Sequence, residues 1–207
     1  MEFGINYEVR PFDGNDPGIY TDAASVRKKM QTYFEESSKM LNLYAYTGAF
    51  SLQGLFYDNE VTSVDLSSKY MSWLEKNITL NDFKSEHHSM VMGAEQALKK
   101  LIKEKFLFDL IVCDPPSSST DGKKTTQALK KYEDLLPLIL NSLNNNGHAA
   151  LFLNTHSVSK KKFQEKILEL IKGKAKIVNE FKLGDDCPTL KGFPEGNYLK
   201  VLIIKKS

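Results

Sequence analysis

The chain has 207 residues, 41% of them hydrophobic and 26% charged, with a formal net charge of +2. Such a chain suits one domain of ordinary size, which removes roughly 70% of its unfolded surface from water and needs no disulfide or structural metal to complete its core. No apolar run approaches the roughly 18 to 20 residues of a membrane span, Cys113 and Cys187 suggest neither a disulfide framework nor a metal site, and the charge balance argues neither for nor against a nucleic-acid partner.

The N-terminal Met1-Glu-Phe-Gly-Ile-Asn lacks the basic and apolar regions of a signal peptide, so residence in the cytoplasm is the expectation. Ile5 to Tyr20 predicts a short β-hairpin, because Ile-Asn-Tyr-Glu-Val alternates and Asp13-Gly14-Asn15-Asp16-Pro17-Gly18 supplies turn chemistry. Asp22 then offers an N-cap to a helix carrying Val26, Met30, Tyr33 and Phe34 on one face. From Lys39 the pattern is strand, turn, helix, repeated, with strands expected near 39–45, 60–65, 87–92, 108–113, 147–154, 175–182 and 198–205. Helical periodicity fills the gaps: Phe50, Leu52 and Leu55; Met71, Leu74 and Ile78; Leu98, Leu101 and Ile102; then a long stretch from Leu129 to Leu143 closed by Asn144-Asn-Asn-Gly147.

Strands alternating with helices imply an α/β, Rossmann-like fold with a mostly parallel sheet covered on both faces. Only Gly184 to Asn197 separate the last two strands, which are therefore expected to pair antiparallel. The organisation this predicts is a single domain over 1–207, with an extension at 1–38 and a seven-stranded core at 39–207. Most lysine clusters read as solvated helix faces and loop ends. Lys123 and Lys124 stand apart, because they follow a Pro-Pro turn in a Ser/Thr/Gly-rich segment suited to moving over a bound substrate.

The ligand of an open parallel sheet lies beyond the carboxyl ends of its strands, and three motifs fall at such ends. After the first strand, Tyr46-Thr47-Gly48-Ala49 turns into a helix, and Gly48 permits a tight turn and close approach of a ligand to backbone amides; a plain tight connection is the alternative. Asp65 ends the second strand about 17 residues after Gly48, near the spacing at which an acid accepts hydrogen bonds from ribose hydroxyls. It could equally cap the helix that starts at Ser67 or Ser68, and the two roles are compatible. The Gly-x-Gly-x-x-Gly fingerprint is absent, so a ligand with adenosine but without phosphates fits better, and S-adenosylmethionine is such a molecule. Asp114-Pro115-Pro116 ends the fourth strand, where the prolines fix the backbone and hold the Asp114 side chain toward the pocket to accept a hydrogen bond from a substrate amine; a simple turn is again the alternative.

Together these residues resemble the class I methyltransferases, and more narrowly those that modify bacterial large-subunit ribosomal RNA and often carry a separate PUA domain. Asn42-Leu-Tyr-Ala-Tyr-Thr-Gly-Ala-Phe-Ser51 resembles the cofactor loop of that group, Val64-Asp65-Leu66-Ser67 its ribose-binding strand end, and Phe108-Asp-Leu with Asp114-Pro-Pro its catalytic-face motif. Asp13-Gly14, Gly18-Ile-Tyr-Thr-Asp22 and Arg27 resemble its N-terminal signature, and Phe193-Pro-Glu-Gly-Asn-Tyr-Leu-Lys200 its C-terminal one. The antiparallel last strands also suit this group and not the dehydrogenases. The resemblance implies cofactor contacts at Tyr46, Thr47, Gly48, Ala49, Asp65, Leu66, Ala94 and Asp114. It further implies that Tyr20 to Arg27 close over the methionine moiety, with Arg27 on its carboxylate; an exposed helix salt bridge is the other reading of Arg27. Asp114 and Pro115 carry the catalytic assignment.

The chain departs from the group at informative places. Gly93-Ala94 stands where Gly-Asp is usual, so the acceptor for an adenine amine is missing unless Glu95 substitutes, and Ser117-Ser118-Ser119 replaces the aromatic that would stack a flipped base. Asn154-Thr-His-Ser157 stands where cytosine-C5 enzymes present a cysteine, while Cys113 reads as a buried apolar residue. Transfer to nitrogen or oxygen of structured, ribosomal RNA is thus the expected activity, with S-adenosylmethionine as cofactor and no metal or membrane. No stretch matches the PUA domain, which leaves RNA capture to lysines or a partner; whether the chain forms a homodimer is open. A methyltransferase of protein or small molecules and a degenerate binding or scaffold module are the alternatives.

Overall fold

The computed structural model describes residues 1–12, 16–116 and 124–207. A 3-10 turn at Thr21–Ala23 leads into two short helices, α1 (Ala24–Lys29) and α2 (Gln31–Glu35), whose Val26, Met30 and Phe34 are fully buried on one face. Strand β1 (Lys39–Leu43) is apolar after Lys39 except for Asn42 and is buried beyond its first residue, as a strand covered on both faces must be. There follow α3 (Ala49–Phe56), β2 (Glu60–Asp65), α4 (Ser68–Thr79), β3 (His87–Val91), α5 (Ala94–Lys103) and β4 (Phe108–Cys113). The chain ends with α6 (Lys124–Ser142), β5 (Leu143–Asn154), α7 (Lys160–Ile171), β6 (Ala175–Lys182) and β7 (Leu199–Lys206).

Among the described residues these strands form one seven-stranded sheet in the order β3-β2-β1-β4-β5-β7-β6. The first five pair parallel, and β7 inserts antiparallel between β5 and β6, as the helix-free connection predicted. Two cores follow from two covered faces. Leu98, Leu136, Ile139, Phe163 and Ile167 from α5, α6 and α7 pack on one side, and Val26 from α1, Met30 just after it, and Phe50 and Leu55 from α3 on the other. Strand order reverses between β1 and β4, which opens a crevice beyond their carboxyl ends.

Three expectations are corrected. No strand pair forms in the described part of Ile5 to Tyr20; Ile5 makes an isolated bridge with Glu2, and Arg10 N donates to Pro17 O at 2.9 Å. Two further amides of the segment are spent on α4 and the residues after it: Asn6 N donates to Asn81 Oδ1 at 2.9 Å and Glu8 N to Asn77 Oδ1 at 2.7 Å. Asp22 does not cap a helix; it lies inside the first turn and accepts the Tyr198 hydroxyl at 2.6 Å. The Asn144-Asn-Asn-Gly147 stretch is no closing turn either. It belongs to β5, where Asn144 Nδ2 donates to Asp109 Oδ1 at 2.7 Å and the register with β4 shifts. The turn residues Asp13, Gly14 and Asn15, the serines Ser117 to Ser119 and Lys123 lie outside the described residues.

The turn between β1 and α3 ties the extension to the core. Asn77 Nδ2 donates to Thr47 O at 2.9 Å, Thr47 Oγ1 donates to Gly18 O, and Gly18 N donates to the Tyr46 hydroxyl at 3.2 Å. Gly48 enters α3 at φ 91°, and a Cβ there would stand 2.6 Å from the Leu74 side chain. Replacing Gly48 with Ala therefore meets both a left-handed backbone and a filled space. Gly48→Ala is expected to lower unfolding stability by about 1–3 kcal/mol, read as a fall in the urea midpoint at unchanged slope.

Candidate functional site

A cavity of about 600 Å³ opens at the crevice, within the range usual for small-molecule sites. Its walls come from the ends of β1, β2, β4 and β5 and from the Tyr20 to Arg27 segment. Asp65, at the end of β2, holds two loops there. Its Oδ2 accepts Tyr46 N and its Oδ1 accepts Ser67 N, each at 2.9 Å. The helix cap itself is Ser67, whose Oγ accepts Tyr70 N at 3.3 Å. Each Asp65 oxygen keeps a lone pair for a further donor. Tyr44 and Tyr46 adopt φ of 59° and 51°, a costly conformation for bulky residues that places backbone strain on the cavity wall.

Of the residues predicted for the site, Tyr20, Arg27, Tyr46, Ala49, Asp65, Leu66, Ala94 and Asp114 line this cavity. Thr47, Gly48 and Pro115 are not in its lining. Thr47 is buried against Gly18, Pro115 is buried behind Asp114, and the open side of Gly48 faces Leu74 instead of a ligand. Arg27 lines the cavity with its fork already occupied. Its Nε and Nη2 donate to the two carboxylate oxygens of Glu2 at 2.6 and 2.8 Å, and Nη2 also reaches Tyr20 O at 3.1 Å. The fork expected to take a cofactor carboxylate or an exposed salt bridge is thus engaged in a buried ion pair. Glu95 is no replacement for the acid missing at Ala94, because it is exposed and bound to Lys99 at 2.5 Å.

Asp114 follows β4, and its Oδ1 accepts Asn154 Nδ2 at 2.7 Å. Burial, and then the Asp22 carboxylate, push its pKa up to about 7, against the pull of the Asn154 amide. Burial also raises the Cys113 thiol, which is fully buried, so Cys113 is packing and not a nucleophile, as the sequence suggested. Cys187 is not in the cavity wall.

Several site residues had no sequence signal strong enough to find them. Asn42 was legible only as the polar residue inside the apolar run of β1; it lines the cavity and donates to Ser51 Oγ at 2.8 Å, which in turn meets Ser63 Oγ at 2.7 Å. Tyr198 comes from the far end of the chain. Lys200, buried, donates from Nζ to Thr155 O at 2.5 Å and Tyr198 O at 3.1 Å, so one ammonium secures the loop after β5 and the entry to β7. Among the described residues no cluster of acids, histidines and cysteines could hold a metal ion, and no helix is long and apolar enough to cross a membrane.

Residues 24–175 match the family described as conserved hypothetical protein 95. The chain is 33% identical to YwbD of Bacillus subtilis, provisionally named a ribosomal RNA large subunit methyltransferase, over 100% of this chain and 53% of that protein. It is 29% identical to ribosomal RNA large subunit methyltransferase I of Pseudoalteromonas translucida, over 99% of this chain and 52% of the relative. A structure from Streptococcus mutans, provisionally described as a SAM-dependent methyltransferase, superposes with a TM-score of 0.87 at 27% identity, covering 99% of this chain and 54% of that one. SMU.776, provisionally described as a methyltransferase and solved in complex with SAH, gives a TM-score of 0.86 at 27% identity, covering 99% of this chain and 55% of that one. The chain spans about half the length of the curated relatives it matches. Its Rossmann-like sheet with antiparallel last strands is the fold expected from the sequence.

The raised Asp114 pKa has a consequence for stability. The folded chain holds this proton up to about pH 7, whereas an unfolded aspartate releases it near pH 4. The stability linked to the proton is complete below about pH 4 and is lost as pH rises through about 7. Asp114→Asn cannot ionise, so its unfolding free energy is expected to gain on the wild type between pH 4 and pH 8, by on the order of 1–4 kcal/mol. Urea titrations of both proteins at the two pH values read this directly, and parallel pH profiles would contradict the raised pKa.

Proposed function

The chain belongs to the conserved hypothetical protein 95 family, and from that premise we propose that it is the catalytic domain of an S-adenosylmethionine-dependent methyltransferase acting on ribosomal RNA. The observation that carries this reading is the pairing of two acids at one cavity, Asp65 from β2 and Asp114 after β4, on either side of β1. The names of the relatives direct the choice of ribosomal RNA.

The walls suit the cofactor. Asp65 would accept the ribose hydroxyls through the lone pairs left by the Tyr46 and Ser67 amides, while Leu66, Met92 and Ala94 offer an apolar seat for adenine. Ala94 supplies no acceptor for the adenine amine. Tyr46 and Ala49 would line the methionine end, since the helix N-terminus at Ala49 starts there. When bound, S-adenosylmethionine supplies a methyl group on a positively charged sulfur, activated toward a nitrogen or oxygen lone pair. Asp114, ionised above about pH 7, would accept a hydrogen bond from the N–H or O–H of the acceptor and hold its lone pair in line. Asn154 fixes the rotamer of that carboxylate.

Nitrogen or oxygen is the proposed acceptor over cytosine C5, because no cysteine is among the described residues that line the cavity. Asn154-Thr-His-Ser157 stands where a cysteine would be presented, and the Asn154 amide is already engaged by Asp114.

Calorimetry tests the cofactor. The wild type is expected to bind S-adenosylmethionine saturably, and Asp65→Ala to weaken binding about tenfold or more, as loss of a charged hydrogen bond implies. Absence of binding in the wild type sinks the assignment. For the acceptor, Asp114→Ala is expected to keep cofactor affinity within about threefold while methyl transfer to large-subunit RNA falls at least about a hundredfold. Undiminished transfer by that variant would remove Asp114 from the reaction.

A further inference from the structure

At the mouth of the cavity three tyrosines stand in contact. The Tyr46 ring lies 4.6 Å from Tyr70, edge to face, and 5.1 Å from Tyr20, at an interplanar angle of 35°. The inner two are fixed. Tyr46 accepts Gly18 N on its hydroxyl and gives its own amide to Asp65, and Tyr70 donates its hydroxyl to Asp16 Oδ2 at 2.7 Å. Tyr20 is the outermost. Its carbonyl is held by Arg27, and its side of the row leaves the residue 54% exposed although it lines the cavity. A large aromatic half open to water at a cavity mouth, backed by a second ring and a held backbone, is a preformed face for a flat ligand.

What would cover it is indicated by the surroundings. Cations flank the mouth on two sides: Lys69 Nζ lies 5.9 Å from the Tyr70 ring, and Lys131 Nζ donates to the carbonyl of Pro116, a wall residue, at 2.6 Å. Asp114 is close enough to Tyr20 that, after burial and Asp16, its carboxylate helps raise the tyrosine pKa. An open aromatic face beside the acceptor-orienting acid, with lysines at the rim, matches the way proteins seize an unpaired base: rings stack its face, and cations meet the phosphates.

We propose that Tyr20, backed by Tyr46 and Tyr70, is the platform on which the target nucleobase of the RNA stacks when it is presented to Asp114. This rests on the RNA methyltransferase reading and deepens it. It also supplies the aromatic surface that the residues after Asp114-Pro-Pro no longer provide, and it assigns the Tyr20 ring to substrate where the family resemblance assigned that segment to cofactor.

The test uses the full chain, S-adenosylmethionine with a labelled methyl group, and large-subunit ribosomal RNA transcribed without modifications. Tyr20→Ala is expected to lower kcat/KM for RNA by about tenfold or more, the scale of one lost base stack, while calorimetric affinity for S-adenosylmethionine stays within about threefold. Tyr20→Phe, which keeps the ring, is expected to recover most of the loss. The proposal alone is overturned if the wild type methylates this RNA and Tyr20→Ala does so equally well, or if Tyr20→Ala loses cofactor affinity in step with activity, which would return the ring to the cofactor. If the wild type binds cofactor but leaves the RNA unmethylated, the RNA reading falls and the platform with it. Matching thermal midpoints for the three proteins separate these outcomes from a folding defect.

Discussion

The Asp65 carboxylate is the constraint on which the site depends. Each of its oxygens accepts one backbone amide, Tyr46 N from the loop after β1 and Ser67 N from the loop after β2. Without an acceptor those amides would face a desolvated cavity wall, at a cost of about 1–3 kcal/mol each. The same contact holds Tyr46 in a left-handed conformation and so sets the position of its ring. The geometry of both loops and the placing of the Tyr46 ring are therefore consequences of one side chain at the end of one strand.

The electrostatics of the cavity follow from what its acids lack. Asp114 is held by the neutral Asn154 amide and Asp22 by the neutral Tyr198 hydroxyl, while Arg27 is committed to Glu2. Burial, and then the Asp22 carboxylate, raise the Asp114 pKa, and the neutral Asn154 amide offsets them only in part. A wall of that kind favours a cationic ligand and an acceptor that donates a hydrogen bond. Lys200 contributes at a distance. By gathering Thr155 and Tyr198 carbonyls it joins the loops that carry Asn154 and Tyr198, so one buried cation keeps both neutral donors at their acids.

The core sheet was legible because its strands are buried on both faces. β1 and β4 read as mainly apolar runs, and the ends of β2 and β4 place Asp65 and Asp114 at the crevice. The N-terminal extension was less legible. Ile-Asn-Tyr-Glu-Val alternates like a strand, yet its amides pair with Asn77 and Asn81 side chains, and no local pattern signals a hydrogen bond to residues some seventy positions away. Gly48 was correctly marked as a turn, but the reason given for it was incomplete: the space it frees is filled by Leu74.

The alternation of strand and helix, the antiparallel finish and the two acids at strand ends were determined by the sequence alone, because hydrophobic periodicity and turn residues act locally and survive without knowledge of neighbours. Tertiary structure decided the occupancy of each polar group. Glu2 on Arg27, Tyr198 on Asp22, Asn42 in the cavity wall and the row of Tyr20, Tyr46 and Tyr70 join segments remote in sequence. Their partners are chosen by which buried donors and acceptors the packed helices and strands bring within about 3 Å, and only the folded chain fixes that distance.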